Sequence, residues 1–458
     1  MQWNRRYLIK SYIGNSLWLV PFFAVVLYWV VSTITYEIDG WLLQSGRIDA
    51  KTAFLGLSMV GARSVLDTIV TLNLSFLVFT FSSLLVAIQV AGGQYTPRII
   101  ATTLLRDNAI RFTVGYFVFT LLFAVRVLTR MGGEVVHQLN TFTAITLGLL
   151  SIVVFLYLID YAARFLRPVS ILKCVGESGM EVIKSVYSEP TLHPRSVQRS
   201  SRPVSPDRSV TNSGASGIVL GVDLDGLVDV ARSVNGLIEL VPLVGDFVAA
   251  DEPLFRLYGA AGSIDDRRLL AAVALGSERT VEQDPTFAFR ILVDIAIKAL
   301  SPAINDPTTA VLAIDQLHRL LRRVGLRLVS REEIFDEAGE LRLISRTPNW
   351  EDFVHLTCTE IRHCGAGSIQ IVRRLRSMLE NLTETLPPHR HAELRQQLEL
   401  LDRSAEEHYP FPEDLALARI PDSQGLGGSL GVQAAIETSA FKGGGRAELE
   451  RGTAETSV

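Results

Sequence analysis

Four apolar runs, at roughly 16–36, 68–91, 109–129 and 141–161, dominate the first third of the chain. Each meets the ~20 apolar residues needed to cross ~30 Å of hydrocarbon, so each is expected to be a transmembrane helix. Trp3, Tyr7 and Trp18 flank the first run at one end, and Tyr36 and Trp41 at the other, as aromatic belts at an interface would. The run is too long for a signal-peptide core, and a retained first span fits better. Basic residues set the expected orientation. Arg5, Arg6 and Lys10 precede the first run, Arg98, Arg106 and Arg111 lie between the second and third, and Arg164, Arg167 and Lys173 follow the fourth. The segment 37–67 is mixed in sign and 130–140 carries a single arginine. Positive charge stays inside, so both termini and everything after residue 165 are expected in the cytoplasm, with the chain multi-pass in the cytoplasmic (inner) membrane.

Beyond the four-helix domain at 1–165, the pattern changes. A connecting helix and a Ser/Pro/Arg-rich linker ("SSRPVSPDRS") occupy 166–216. Residues 217–260 divide into a strand, a short helix opened by Asp223, and two strands around a Gly245-Asp246 turn, which makes a small β-module. Its second part resembles the hairpins of biotinyl and lipoyl carrier domains. Those domains present a lysine, and none occurs between Lys184 and Lys298, so a structural role is expected. A helical domain follows at 261–410. "SIDDRRLLAAVALG" starts it with a capping box at Ser263 and Asp266 and a glycine stop at Gly276. Two more helices open with Asp-Pro-Thr, at Asp284 and at Asp306, where the aspartate caps free N–H groups and proline takes the first helical position. The second has a seam of Ala310, Ile314, Leu317, Leu321 and Val324, and its last turn, "RLLRR", puts cations where the helix dipole favours them. A β-hairpin turning near Glu337-Ala338-Gly339 comes next, then helices at roughly 350–382 and 389–407. A disordered tail is expected over 411–458. The fold class is therefore an α-helical membrane protein with four transmembrane helices and a cytoplasmic α+β region.

Composition agrees. The chain has 48% hydrophobic and 20% charged residues, with a mean hydropathy of +0.28. A net charge of −4 gives no support for nucleic acid as a partner. Cys174, Cys358 and Cys364 do not form a secreted disulfide framework. No Walker loop, Rossmann glycine pattern, nucleophile elbow or HExxH occurs, and no cofactor or catalytic residue is expected. "HLTCTEIRHC" suggests a metal site, but Cys364 lies about 240° round a helix from Cys358, so one helix cannot aim these ligands at one zinc.

Within the second run, Thr68, Ser75, Ser82 and Gln89 recur every seven residues and drift only ~20° per repeat. Two readings fit: helix–helix packing through small hydroxylated residues, or the polar lining of a conduit. Arg98, in "AGGQYTPR", is placed to meet phosphate headgroups. Arg126 is expected to snorkel to the interface.

The stretch "GSERTVEQDPTFAFRILVDIAIKALSPAINDPTTAVLAIDQL" holds the other candidates: Arg279, Thr280, Asp284, Arg290, Asp294, Lys298, Ser301, Asn305, Asp306 and Thr309. Arg290, Asp294 and Lys298 stand at i, i+4 and i+8, a cation–anion–cation ladder on a helix too short to span a bilayer and expected in a core. Capping accounts for Asp306, Pro307 and Thr308, and Pro302 stops the helix before. Asn305 and Thr309 are not required by it. With its four-span first half, a "PR" after the second span and this core, the chain resembles a family of bacterial predicted membrane proteins of unknown function. Their core reads S-P-[GA]-I-N-D-P-x-T-A, and the resemblance covers most of 10–410. It implies an integral membrane protein with a cytoplasmic domain and carries no activity. Ala303 stands where the family commonly has glycine, which argues against a positive φ there.

Three functions fit these features. The first is a channel- or transport-like homo-oligomer in the bilayer, gated or assembled by its cytoplasmic domain. The second is a membrane-tethered sensor or scaffold binding a cytosolic ligand at 279–309. The third is a membrane enzyme, for which no nucleophile, base or cofactor loop is legible.

Overall fold

The computed structural model describes residues 2–45, 59–94, 107–131, 138–165, 167–187, 205–329 and 332–428. The chain divides into two compact units. One is Ile9–Gly93 with Pro97–Ile171, and the other gathers Met1–Leu8, Gln94–Thr96 and Leu172–Val458.

The first is a four-helix unit. After α1 (Trp3–Asn15) come α2 (Leu19–Gln44), α3 (Met59–Gln94), α4 (Asn108–Arg130) and α5 (Gln138–Phe165). Each of α2 to α5 contains a stretch long and apolar enough to cross a membrane. All four helices reach beyond the apolar runs of the sequence, because polar residues at their ends continue the helical bonding. Ala62, Leu66 and Ile69 of α3 pack with Phe123, Ala124 and Val127 of α4, while Phe76 and Leu77 pack with Val114 and Phe117. The two helices therefore run antiparallel. On α5, Gly148 lets Ile69 approach so closely that an added Cβ would sit 2.6 Å from its side chain. Phe23, Trp29, Leu85, Leu149 and Val153 point outward.

Two buried charges tie this unit together. Arg111, expected in a loop, is 7% exposed in the first turn of α4. Its guanidinium donates to the carbonyls of Ile13 at 2.7 Å and Gly14 at 3.2 Å, and to that of Ser16, capping the negative end of α1. Asp39 of α2 is fully buried and accepts from the Leu139 and Asn140 backbone N–H groups and from Asn140 Nδ2 at 2.9 Å. It thus caps the start of α5 from a neighbouring helix.

The second unit is α+β, its strand pairs antiparallel except for β3 with β8. It contains α6 (Pro168–Val186), β1 (Arg208–Thr211), β2 (Gly217–Val222), α7 (Leu224–Ser233), β3 (Leu237–Leu240), β4 (Phe247–Val248), β5 (Pro253–Tyr258), α8 (Asp266–Leu270) and β6 (Val273–Gly276). Then follow α9 (Pro285–Ala299), α10 (Pro307–Gly325), β7 (Glu333–Phe335), β8 (Leu341–Ser345), α11 (Trp350–Gly365), α12 (Ile369–Thr385), α13 (His391–His408) and α14 (Pro412–Ala418). The strands form a five-stranded sheet, β1-β5-β3-β8-β7, and a three-stranded sheet, β4-β2-β6. Tyr7, expected in an aromatic belt, instead donates its hydroxyl to the Leu220 carbonyl at 3.0 Å.

Several sequence expectations are corrected here. The β-module is not confined to 217–260. It begins with β1, and the β7–β8 hairpin joins it because β8 pairs in parallel with β3, Ile238 opposite Leu343. That pairing satisfies an edge that would otherwise be open. The helix expected over 263–276 stops at Leu270, and its cap is Asp265, accepting from Arg267 N–H at 3.0 Å. Residues 273–276 form β6 against β2, where ladder bonds and burial of Val273 and Ala274 outweigh helical periodicity. The helix expected over 350–382 breaks at Gly365–Ser368, where a Cβ on Gly365 would clash with Ile371. The expected tail contributes α14 and then a strap. Buried Arg373 donates to the carbonyls of Ile420 at 3.0 Å and Gly428 at 3.1 Å, and Asp422 accepts from Gly425 and Gly427 N–H. The tail from 429 lies outside the described residues.

Candidate functional site

Asp284 caps α9, accepting from Phe287 N–H at 3.2 Å and from the Thr286 hydroxyl. It is 3% exposed, and Arg279 Nε stands 3.2 Å from Oδ2. Burial pushes the Asp284 carboxyl above its ordinary range, opposed by Thr286 and Arg279. Gly245, at φ 95°, lies against the pair, and any Cβ there would clash with Arg279 Nη2 and Asp284 Oδ2. Its N–H donates to the Val219 carbonyl at 2.7 Å, so the turn carries the three-stranded sheet onto the start of α9. Tyr187, 4% exposed, packs edge-on against Phe353, and burial first, then Asp284 and Asp352, raises its hydroxyl pKa. The Thr280 hydroxyl is buried without a hydrogen-bond partner among the described residues.

One turn further on, the ladder turns sideways. Arg290 Nε donates to Asp294 at 2.7 Å, and both Nη groups grip Glu360 on α11, one at 2.9 Å. The helix is a core helix, as its Phe287, Ile291 and Ile295 show, but this face is open: Arg290 is 23% and Asp294 17% exposed. The Glu360 carboxyl is held below its ordinary range by Arg290.

The junction after α9 is a single closed turn. Asn305 N–H donates to Ser301 O at 2.8 Å and Asp306 N–H to Ala299 O at 2.8 Å, while Ser301 Oγ donates to Lys298 O at 2.7 Å. Asn305 sits at φ 49°, so the left-handed position is here and not at Ala303. Asp306 accepts from Thr309 N–H at 3.0 Å and from the Thr309 hydroxyl at 2.5 Å. Asn305 thus serves the left-handed backbone of the turn, and Thr309 doubles the Asp306 cap through its N–H and its hydroxyl.

Several of these contacts are local, Arg279 with Asp284, Arg290 with Asp294, Lys298 with Ser301 and Asp306 with Thr309, while Arg290 also reaches Glu360. Glu360 and Tyr187, and the contact of the Gly245 turn with Asp284, carry no mark in the sequence because each meets its partner across dozens of residues. In "HLTCTEIRHC", Cys358 is buried, its thiol pushed up to about 12, whereas Cys364 is exposed.

The seven-residue stripe is fully placed. Thr68, Ser75, Ser82 and Gln89 are all exposed along α3, so among the described residues none is covered by another helix. Thr68 and Ser75 donate back to the carbonyls of Ser64 and Thr71, each at 2.8 Å. Arg63, Ser64, Asp67 and Thr71, all exposed, extend the polar face toward the start of α3. Arg126 is half-buried, with its guanidinium 5.7 Å from the Tyr36 ring centre and Nη2 3.4 Å from Thr33 Oγ1. Arg98 lies outside the described residues.

Comparison with known proteins adds a family. The family described as "Predicted membrane protein (DUF2254)" matches residues 14–381. Uncharacterised proteins of Mycobacterium bovis and Mycobacterium tuberculosis are each 26% identical over 426 residues, covering 90% of this chain and 81% of theirs. No solved structure gives a significant match.

Proposed function

We propose that this chain, which belongs to the DUF2254 family of predicted membrane proteins, is a homo-oligomeric, channel- or transport-like protein of the cytoplasmic membrane. Copies meet along α3, whose polar face borders a path for ions or small polar solutes. The α+β unit lies in the cytoplasm and gates or assembles the complex.

The observation that carries this reading is the unburied polar face of α3. Its 36 residues make a helix of about 54 Å, well beyond the ~30 Å of hydrocarbon. Hydroxyls bonded to their own helix tolerate lipid. Gln89 is an exposed amide within the apolar run, a polar group that is costly against hydrocarbon, while Arg63 and Asp67 precede the run and continue the polar face beyond it. A second copy against this face, or water between copies, removes that cost. Basic residues before α2 and after α5 support the cytoplasmic placement. The sensor reading at 279–309 has less support, because most polar groups there are engaged in caps and ion pairs.

Purified protein in liposomes should conduct ions, and Ser82→Leu and Gln89→Leu should each lower the flux severalfold. Wild-type protein that passes no ion or small polar solute and stays monomeric in lipid would sink the reading.

A further inference from the structure

Between α6 and α10 lies a cavity of about 400 Å³, within the ~300–1,000 Å³ range of small-molecule pockets. Met180 and Leu326 bound it, and its polar wall is Asp315, His318, Arg319, Arg322 and Arg323. These five lie on one face of α10, opposite the buried seam of Ile314, Leu317, Leu321 and Val324. Gly176 and Gly179 bring α6 close to Gln316 and Leu320, which closes the other side of the groove.

The charges around it do not balance. Glu177 is paired with Arg319 at 3.0 Å, and Asp315 is held by Arg374 of α12 at 2.6 Å. Both carboxylates are thus already matched. Arg322 and Arg323 make no ion pair among the described residues. The Nε of Arg323 is buried with no hydrogen-bond partner. His318 joins Asn381 Oδ1 through Nε2 at 2.9 Å. Burial chiefly, then Arg374 and Arg322, holds its pKa below the ordinary value, which disfavours a further cation there.

A solvated basic face at a helix C-terminus is the plainer account of "RLLRR". The helix dipole supplies only about half a negative charge, which leaves most of two guanidiniums unneutralised. It gives no acceptor to Arg323 Nε, and a buried donor without an acceptor is unfavourable. Guanidinium forks match the oxygens of phosphate two at a time, and its negative charge offsets the unpaired cations. We propose that this groove binds a phosphate group, gripped by Arg322 and Arg323 with Arg319 at its edge. The phosphate comes either from a soluble phosphate ester or from a lipid headgroup.

Inorganic pyrophosphate titrated calorimetrically into the full-length protein tests this, in nanodiscs of phosphatidylcholine and in nanodiscs containing phosphatidylglycerol. Saturable binding is expected in phosphatidylcholine, weakened at least about tenfold in the Arg322→Gln/Arg323→Gln double variant. The exposed Arg403→Gln on α13 should bind like wild type, and matching thermal melts of all three proteins would exclude misfolding. Equal affinity in both nanodiscs assigns a soluble phosphate. Severalfold loss in phosphatidylglycerol, in the wild type alone, assigns a headgroup. Absence of saturable binding at millimolar pyrophosphate in either nanodisc, or equal binding by wild type and double variant, overturns the proposal.

Discussion

Asn305 closes the turn between α9 and α10 at φ 49°, its N–H donating to the Ser301 carbonyl. The Asp-Pro-Thr tripeptides announced both helix starts, since the capping chemistry is local and the structure uses it at Asp284 and Asp306. Asn305 and Thr309 had no such signal, because a left-handed turn and a hydroxyl on a cap are not periodic features. Asn305→Gly should leave stability within ~0.5 kcal/mol of wild type, while Asn305→Val should lose about 1–2 kcal/mol, read from thermal melts. Glu360 was illegible for another reason: Arg290 lies on a different helix. Its lowered pKa gives a signed prediction. A carboxylate depressed on folding adds stability that is present above its ordinary 4.5 and is lost as pH falls through the lowered value. With the Glu360 side chain 46% exposed, screening keeps this under ~1 kcal/mol. Melting temperature should therefore fall more steeply below pH 4.5 in wild type than in Glu360→Gln. Parallel curves would remove Glu360 from the account.

At the scale of elements, the long apolar helices were legible because twenty residues of one character leave no alternative in hydrocarbon. Short elements were not. Residues 273–276 carry a helical pattern yet form β6, because β2 offers a ladder that only the assembled sheet provides. The strap after α14 has the glycine-rich composition of a disordered tail. It is held by Arg373, 1% exposed, whose partners are backbone carbonyls and leave no trace in sequence. Arg373→Met should release it, a loss of roughly 1.5–3 kcal/mol of local stability for hydrogen bonds to a charged group. Limited trypsin digestion should then cut first after Arg419 while α13 stays intact. A variant as resistant as wild type at Arg419 would show that packing alone seats the strap.

For the whole molecule, the seven-residue spacing of Thr68, Ser75, Ser82 and Gln89 was plain in the sequence, and both packing and a conduit fitted it. Only the fold shows that the stripe faces away from α2, α4 and α5, which shifts the packing reading from within one chain to between copies. The interior face of α3 is taken by Leu66, Ile69, Asn73 and Phe76. The most direct test uses protein in native membranes with Cys174, Cys358 and Cys364 replaced by serine or alanine. Ser75→Cys is then treated with a short bis-maleimide, alongside Val153→Cys, which is 61% exposed on α5. The account predicts cross-linked dimers from Ser75→Cys and monomer from Val153→Cys. Monomer at Ser75 with dimers at Val153 would contradict it.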